Sequence, residues 1–191
     1  MKKNLKESDA FTMIEMLVIV SVLGILLAML YSAIRSVQRF SRESITRNEL
    51  KNIEAAFKQY YAHYQCWPTG ITAATASPMF PAGTGDIQYT LDENFARMLQ
   101  GAAITNGATI DNADGIAFLE FTRFNKAGEP VNAWGPDLGG VYYVMLDVDG
   151  NNEVSPPGPS NNFTPTNIFR SVVVWTEHPE KEKYLLTSWE R

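Results

Sequence analysis

DAFTMIEMLVIV (residues 9–20) places one carboxylate, Glu15, near the start of an otherwise uncharged run. Residues 16–34 then supply nineteen uncharged, mostly apolar positions. As a helix they span about 28 Å, close to the hydrocarbon thickness of a bilayer. A soluble core helix is rarely apolar on every face for so many turns, so the stretch predicts a single membrane-spanning helix. A secretory signal peptide is the competing reading, because Lys2, Lys3 and Lys6 make a basic start. Against it, Glu7 and Asp9 interrupt that start, and the apolar run exceeds a usual signal core. Tyr31-Ser32-Ala33-Ile34 before Arg35 also offers no small-residue cleavage site. Three lysines before the span and four arginines soon after it leave orientation nearly balanced by charge. Glu15 itself is costly: a central carboxylate in a membrane helix costs roughly 2.5–3.5 kcal/mol, less near the interface, and ordinarily has a cationic partner.

Ala10-Phe11-Thr12-Met13-Ile14-Glu15-Met16, followed by the apolar run, resembles the leader of type IV pilins and type II secretion pseudopilins. The resemblance implies cleavage between Ala10 and Phe11 by a prepilin peptidase, and N-methylation of Phe11 by the same processing machinery. It implies that Glu15 pairs with the terminal amine of a neighbouring subunit, which supplies the missing cation. It further implies a homo-oligomeric filament with other pseudopilins, an inner-membrane assembly platform, and a single-pass protein of the bacterial inner membrane with its C-terminal head in the periplasm. Ala10 stands where the family usually has glycine, and Ser32 where many relatives have proline. The expected organisation is a leader (1–10), a transmembrane and assembly helix (11–34), and a helix neck with head (35–191).

No helix breaker occurs between Ile34 and Pro68. Ile53, Phe57, Tyr60 and Tyr64 recur on one helical face, and Glu43–Arg47 and Glu54–Lys58 are favourable pairs one turn apart. One helix of roughly fifty residues, with a core-facing aromatic stripe in its upper half, is therefore expected. Residues 71–88 read as a loop. Thr90-Leu91-Asp92-Glu93 reads as a capping box before a short helix with Phe95, Met98 and Leu99 inward, ending near Gly101. Residues 106–115 read as loop, and 116–121 as a strand or a helical turn. Strands are expected at 141–146, 168–175 and 185–189. With no long helices between them, they imply an antiparallel sheet. The fold class is α+β, a long helix packed on a small antiparallel sheet, which matches the pilin fold.

Further segments resemble the major pseudopilin of type II secretion. Ala56, Tyr60, Trp67, Pro68 and Thr69 match the close of its first helix, and Trp134-Gly135 half of an Asp-Pro-Trp-Gly tetrad in which Asn132 and Ala133 replace Asp and Pro. Val174, Trp175, Ser188 and Trp189 match its terminal strand pair.

DVDGNNEV (residues 147–154) puts Asp147, Asp149 and Asn151 at alternate positions, as in the first part of an EF-type calcium loop, with the Glu153 carbonyl as a fourth candidate ligand. Asp137 is a further candidate. Asn152 replaces the usual glycine and Gly158 the closing glutamate. The same residues suit a turn without metal. His63 and Cys66 share a helix face, but the aromatic residues around them point to packing. His178, between Glu177 and Glu180, reads as solvated. Cys66 is the only cysteine, so no intramolecular disulfide forms.

The net charge of −5 excludes the basic footprint of general nucleic-acid binding. Charge is unevenly spread: six basic against three acidic residues between Arg35 and Lys58, then fifteen acidic against seven basic beyond it. No nucleotide loop, zinc spacing or serine nucleophile motif is found, and no enzymatic activity is expected. A non-catalytic subunit of a type II secretion pseudopilus, a type IV pilin for adhesion, motility or DNA uptake, and a membrane-anchored enzyme or binding module are the open readings.

Overall fold

The computed structural model describes residues 12–68, 87–106, 109–156, 168–180 and 184–189. The chain divides into two compact units, Met1–Ser41 and Arg42–Arg191. The first helix, α1 (Met13–Tyr64), is 52 residues long and contributes to both.

Within the first unit, α1 exposes apolar side chains all round: Leu17, Val20, Ile25, Leu27 and Met29 each leave more than half their surface uncovered. This part is long and apolar enough to cross a membrane. Two polar contacts within it are local. The Ser21 hydroxyl donates to the Leu17 carbonyl at 2.8 Å, which spares a hydroxyl the cost of lying bare in hydrocarbon. At the far end of the apolar run, the Arg35 guanidinium donates to the Tyr31 hydroxyl and lies 4.7 Å from that ring's centroid. A cation paired with an aromatic ring suits the headgroup level of a bilayer.

The second unit adds β1 (Ile87–Thr90), α2 (Glu93–Leu99), β2 (Ile104–Asn106), β3 (Thr109–Asp111), β4 (Tyr142–Leu146), β5 (Val172–Glu177) and β6 (Leu185–Thr187). β1, β4, β5 and β6 form one antiparallel sheet in that order, and β2 and β3 form a separate antiparallel pair. Strand alternation sends Tyr142, Val144 and Leu146 of β4, and Val172 and Val174 of β5, to one face. There they share a core with Leu50, Ile53, Ala56, Phe57 and Tyr60 of α1 and with Phe95, Met98 and Leu99 of α2. The other face carries Met145, Val173 and Trp175, with Tyr143, Leu185, Ile168 and Trp189 packed against them. The register sets Tyr143 opposite Trp175, and the two rings stack at 5.8 Å. The expected long helix on a small antiparallel sheet is thus the architecture observed, a pilin-like α+β arrangement.

Several local expectations are corrected. Ile87 and Gln88 belong to β1 rather than to a loop, because the 87–90 backbone pairs with β4. The cap of α2 is Asp92, not Thr90: its carboxylate accepts the Phe95 N–H at 2.9 Å. Part of the 106–115 loop is the β2–β3 pair. Residues 116–121 form neither strand nor helix; the Phe118 and Leu119 N–H groups both donate to the Leu99 carbonyl, tying the segment to the end of α2. β5 begins at Val172, and Ile168 makes only an isolated bridge with Val154. Residues 71–86 of the expected loop lie outside the described residues.

Two α1 carboxylates tie the helix to distant segments. Glu49 accepts the Tyr142 hydroxyl at 2.6 Å and pairs with Arg123. Glu54, buried, takes Lys58 at 2.7 Å and Arg170 at 2.9 Å. Phe57 is wholly buried and meets Phe95 edge-on at 5.7 Å. Phe57→Ala should therefore lower unfolding stability by about 3–5 kcal/mol. Phe40→Ala, at a 75% exposed position, should change it by less than about 0.5 kcal/mol. Urea unfolding of the detergent-solubilised chain, followed by tryptophan fluorescence, measures both.

Candidate functional site

The first candidate site is the start of α1. Ala10 and Phe11 lie outside the described residues. Thr12 precedes the helix and caps it: its hydroxyl oxygen accepts the Glu15 N–H at 3.3 Å, and its carbonyl accepts the N–H groups of Glu15 and Met16. Thr12-x-x-Glu15 is a capping-box spacing, a signal present in the sequence but not among the expectations above. Glu15 falls in the first turn, at the positive end of the helix dipole, where a carboxylate is favoured. Among the described residues it makes no ion pair.

The second candidate is the turn after β4. Asp147 is buried, and its carboxylate closes the turn: one oxygen accepts the N–H of Gly150 at 2.8 Å and of Asn151 at 3.2 Å, the other the N–H of Asn152 at 2.8 Å. Asp149 accepts from both the backbone and side-chain nitrogens of Asn151, and the Asn151 side-chain oxygen accepts the Glu153 N–H at 2.6 Å. Asn152 takes the left-handed conformation (φ 59°) that the sharp turn requires. The Asp147 carbonyl receives the Trp67 indole N–H at 2.6 Å. The candidate calcium ligands Asp147, Asp149 and Asn151 are therefore together, but their oxygens serve the turn's own amides. A bound cation would share those oxygens with the N–H groups. Asp137 is exposed on a different turn, and among the described residues no three acidic, His or Cys side chains form a group able to hold a metal.

His63 and Cys66 do not pack as expected: both are exposed, and His63 contacts the Asp114 carboxylate at 2.9 Å rather than Cys66. His178 is not solvated but buried, its ring 4.7 Å from that of Trp134. The backbone explains it: the His178 N–H donates to the Tyr184 carbonyl, and its ring accepts the Glu180 N–H. Asn132 is also buried, donating to Thr176 and to the Glu177 carbonyl and accepting the Trp134 N–H. Gly139 is required beside it, since a Cβ there would lie 2.5 Å from the Gly135 carbonyl oxygen. Burial pushes the Tyr60 phenol well above its ordinary value, assisted by the Asp111 carboxylate.

Glu54 is the charged group whose environment does most. Burial raises its pKa, but hydrogen bonds from Lys58 and Ser188, with the charges of Lys58 and Arg170, outweigh that and lower it. The i, i+4 pair with Lys58 was readable from spacing; Arg170, 116 residues away, was not.

Compared with known proteins, residues 6–31 match the family described as the prokaryotic N-terminal methylation motif. Neither a curated protein nor a solved structure matches the chain. The motif gives residues 6–31 the character of a type IV pilin-like prepilin leader, and the helix that begins within it is long and apolar enough to cross a membrane.

Two outcomes follow from the carboxylates. A cation present at a hundred times its dissociation constant would add about 2.7 kcal/mol, roughly 5–10 °C in melting temperature. Because the Asp147 turn closes on its own amides, equal melting temperatures in millimolar calcium and in chelator are expected; a rise of that size assigns the cation. For Glu54 the lowered pKa means its contribution is present above the unfolded-state value near 4.5. That contribution is lost as pH falls through the lower folded-state value. Glu54→Gln should flatten this acid limb in unfolding curves below about pH 5.

Proposed function

We propose that the chain is a structural subunit of a type II secretion pseudopilus, doing no chemistry itself. Its helix would pack against neighbouring helices in a filament that an inner-membrane platform extends to move folded proteins across the outer membrane. The observation that carries the reading is the methylation motif over residues 6–31, joined in one chain to a long helix and an antiparallel sheet. In this reading a prepilin peptidase cuts between Ala10 and Phe11, and the new Phe11 amine is methylated. The head lies in the periplasm. Glu15, four residues beyond that amine, pairs with the amine of the neighbouring subunit, which offsets the cost of a carboxylate in hydrocarbon. A type IV pilin has the same motif, and a deletion strain separates the two by losing secretion or by losing motility, adhesion or DNA uptake. Calcium, where the melting-temperature comparison assigns it, would be an addition to a turn already closed by hydrogen bonds.

Intact-mass spectrometry of the purified protein tests the reading first. A chain beginning at methylated Phe11 is expected, and an uncut chain beginning at Met1 removes it in favour of a membrane-anchored enzyme or binding module. Glu15→Gln should leave the cut in place and reduce assembled material on the order of a hundredfold, because the amine would be left without its counter-charge in a low-dielectric site. Sedimentation of sheared filaments measures that loss.

A further inference from the structure

In the second unit, successive turns of α1 bring Lys51, Glu54, Ala55 and Lys58 to one side of a cleft of about 310 Å³, closed by Arg170, Ser188 and Trp189. Its centre is the buried Glu54 carboxylate, one oxygen of which takes both Lys58 and Arg170. Ser188 is oriented to add a third bond, since its oxygen already accepts the Val174 N–H and leaves its O–H to donate to Glu54. A single carboxylate thus holds two cations together, and Lys51 stands one turn away on the same face with no ion pair among the described residues. Three cations against one anion leave the cleft with surplus positive charge. The Lys58 and Arg170 side chains are 46% and 39% exposed, so donors that Glu54 does not use face the opening. Trp189 adds an apolar wall.

We infer that this cleft receives an exposed carboxylate of a second copy of the chain, and so forms a head-to-head contact between neighbouring subunits. The inference rests on the filament reading above. The occupant follows from charge. Beyond Lys58 the chain carries fifteen acidic against seven basic residues, and Asp137 and Asp149 stand exposed on turns. A cationic cleft in an acidic body is complementary to the body of another copy, and such pairing sets register and orientation as well as affinity. Because Glu54 pre-arranges Lys58 and Arg170, little side-chain freedom is lost when the incoming carboxylate arrives.

A photo-crosslinking amino acid placed at Ala55, in the full-length chain in cells, tests the contact, with the same probe at Leu23 in the apolar helix as a control. An adduct of twice the chain mass is expected from both positions. Lys51→Glu should reduce the Ala55 adduct about tenfold and leave the Leu23 adduct unchanged, while Lys51→Arg should preserve both. Peptide mapping should place the Ala55 crosslink on an acidic turn of the other copy. An adduct from Leu23 with none from Ala55 overturns the cleft contact and leaves the filament reading standing. No adduct from either position overturns the filament reading and this inference with it. An Ala55 adduct to a different protein overturns the second copy as occupant.

Discussion

The apolar edge that α1 lays on the sheet is the constraint on which the rest of the head depends. Leu50, Ile53, Ala56, Phe57 and Tyr60 all bury within a few per cent of completely, and every strand of the main sheet except its outer partner residues is ordered around them. A helix face can be buried only if its period of 3.6 residues meets a surface of matching shape. Here the alternate residues of β4 and β5 supply that surface, and α2 fills the remaining side through Phe95, Met98 and Leu99. Because the register of β4 against β5 decides which residues point inward together, a slip of one position would turn either Val144 or Val174 outward and bring Tyr143 or Trp175 onto the helix in its place.

Polar groups then fix what hydrophobic contact leaves loose. Apolar burial is non-directional, whereas a carboxylate on the helix selects particular partners. Glu49 reaches β4 and Arg123, and Glu54 reaches the segment before β5. Asn112 does similar service for the irregular chain after β3. It is fully buried in a left-handed conformation, donating to the Met98 and Ile116 carbonyls and accepting from Tyr64 and the Ile116 N–H. Where strands are this short, buried asparagine and aspartate side chains take over backbone pairing that ladders would otherwise provide.

What the sequence made legible follows from which interactions are local. The helix stripe, the two i, i+4 pairs and the inward face of α2 depend on spacing alone, and all were readable. β1 was missed because it is only four residues long and runs directly into the capping region, and the Gly- and Pro-rich chain before it dominates the local composition. The start of β5 was placed four residues early because Ile168 and Phe169 extend an apolar run, although the ladder begins only after Ser171. His178 was misplaced for a related reason: glutamates flank it in sequence, but Trp134 and Tyr184 surround it in space. The candidate site divides the same way. The motif around Glu15 and the Asp147 turn are contiguous, whereas the cleft at Glu54 unites residues from α1, from the chain before β5 and from the chain after β6.

Glu15 and Glu54 share a helix and pose one electrostatic problem in two media. An ionised carboxylate withdrawn from water needs compensation by charge and hydrogen bonds. Glu54 has it within the chain, from Lys58, Arg170 and Ser188, and its pKa is lowered despite burial. Glu15 has a favourable helix-dipole position and the Thr12 cap beside it, but no cation among the described residues. Dipole stabilisation at a helix end is typically 0.3–1 kcal/mol, short of the roughly 2.5–3.5 kcal/mol a carboxylate costs deep in a bilayer. The deficit is met only by a positive charge from outside the described residues or by a position close to the interface. In the function proposed above, that charge is the Phe11 amine, which exists only once the chain is cut after Ala10. Glu54 is thus compensated within the chain, whereas Glu15 finds no cation among the described residues.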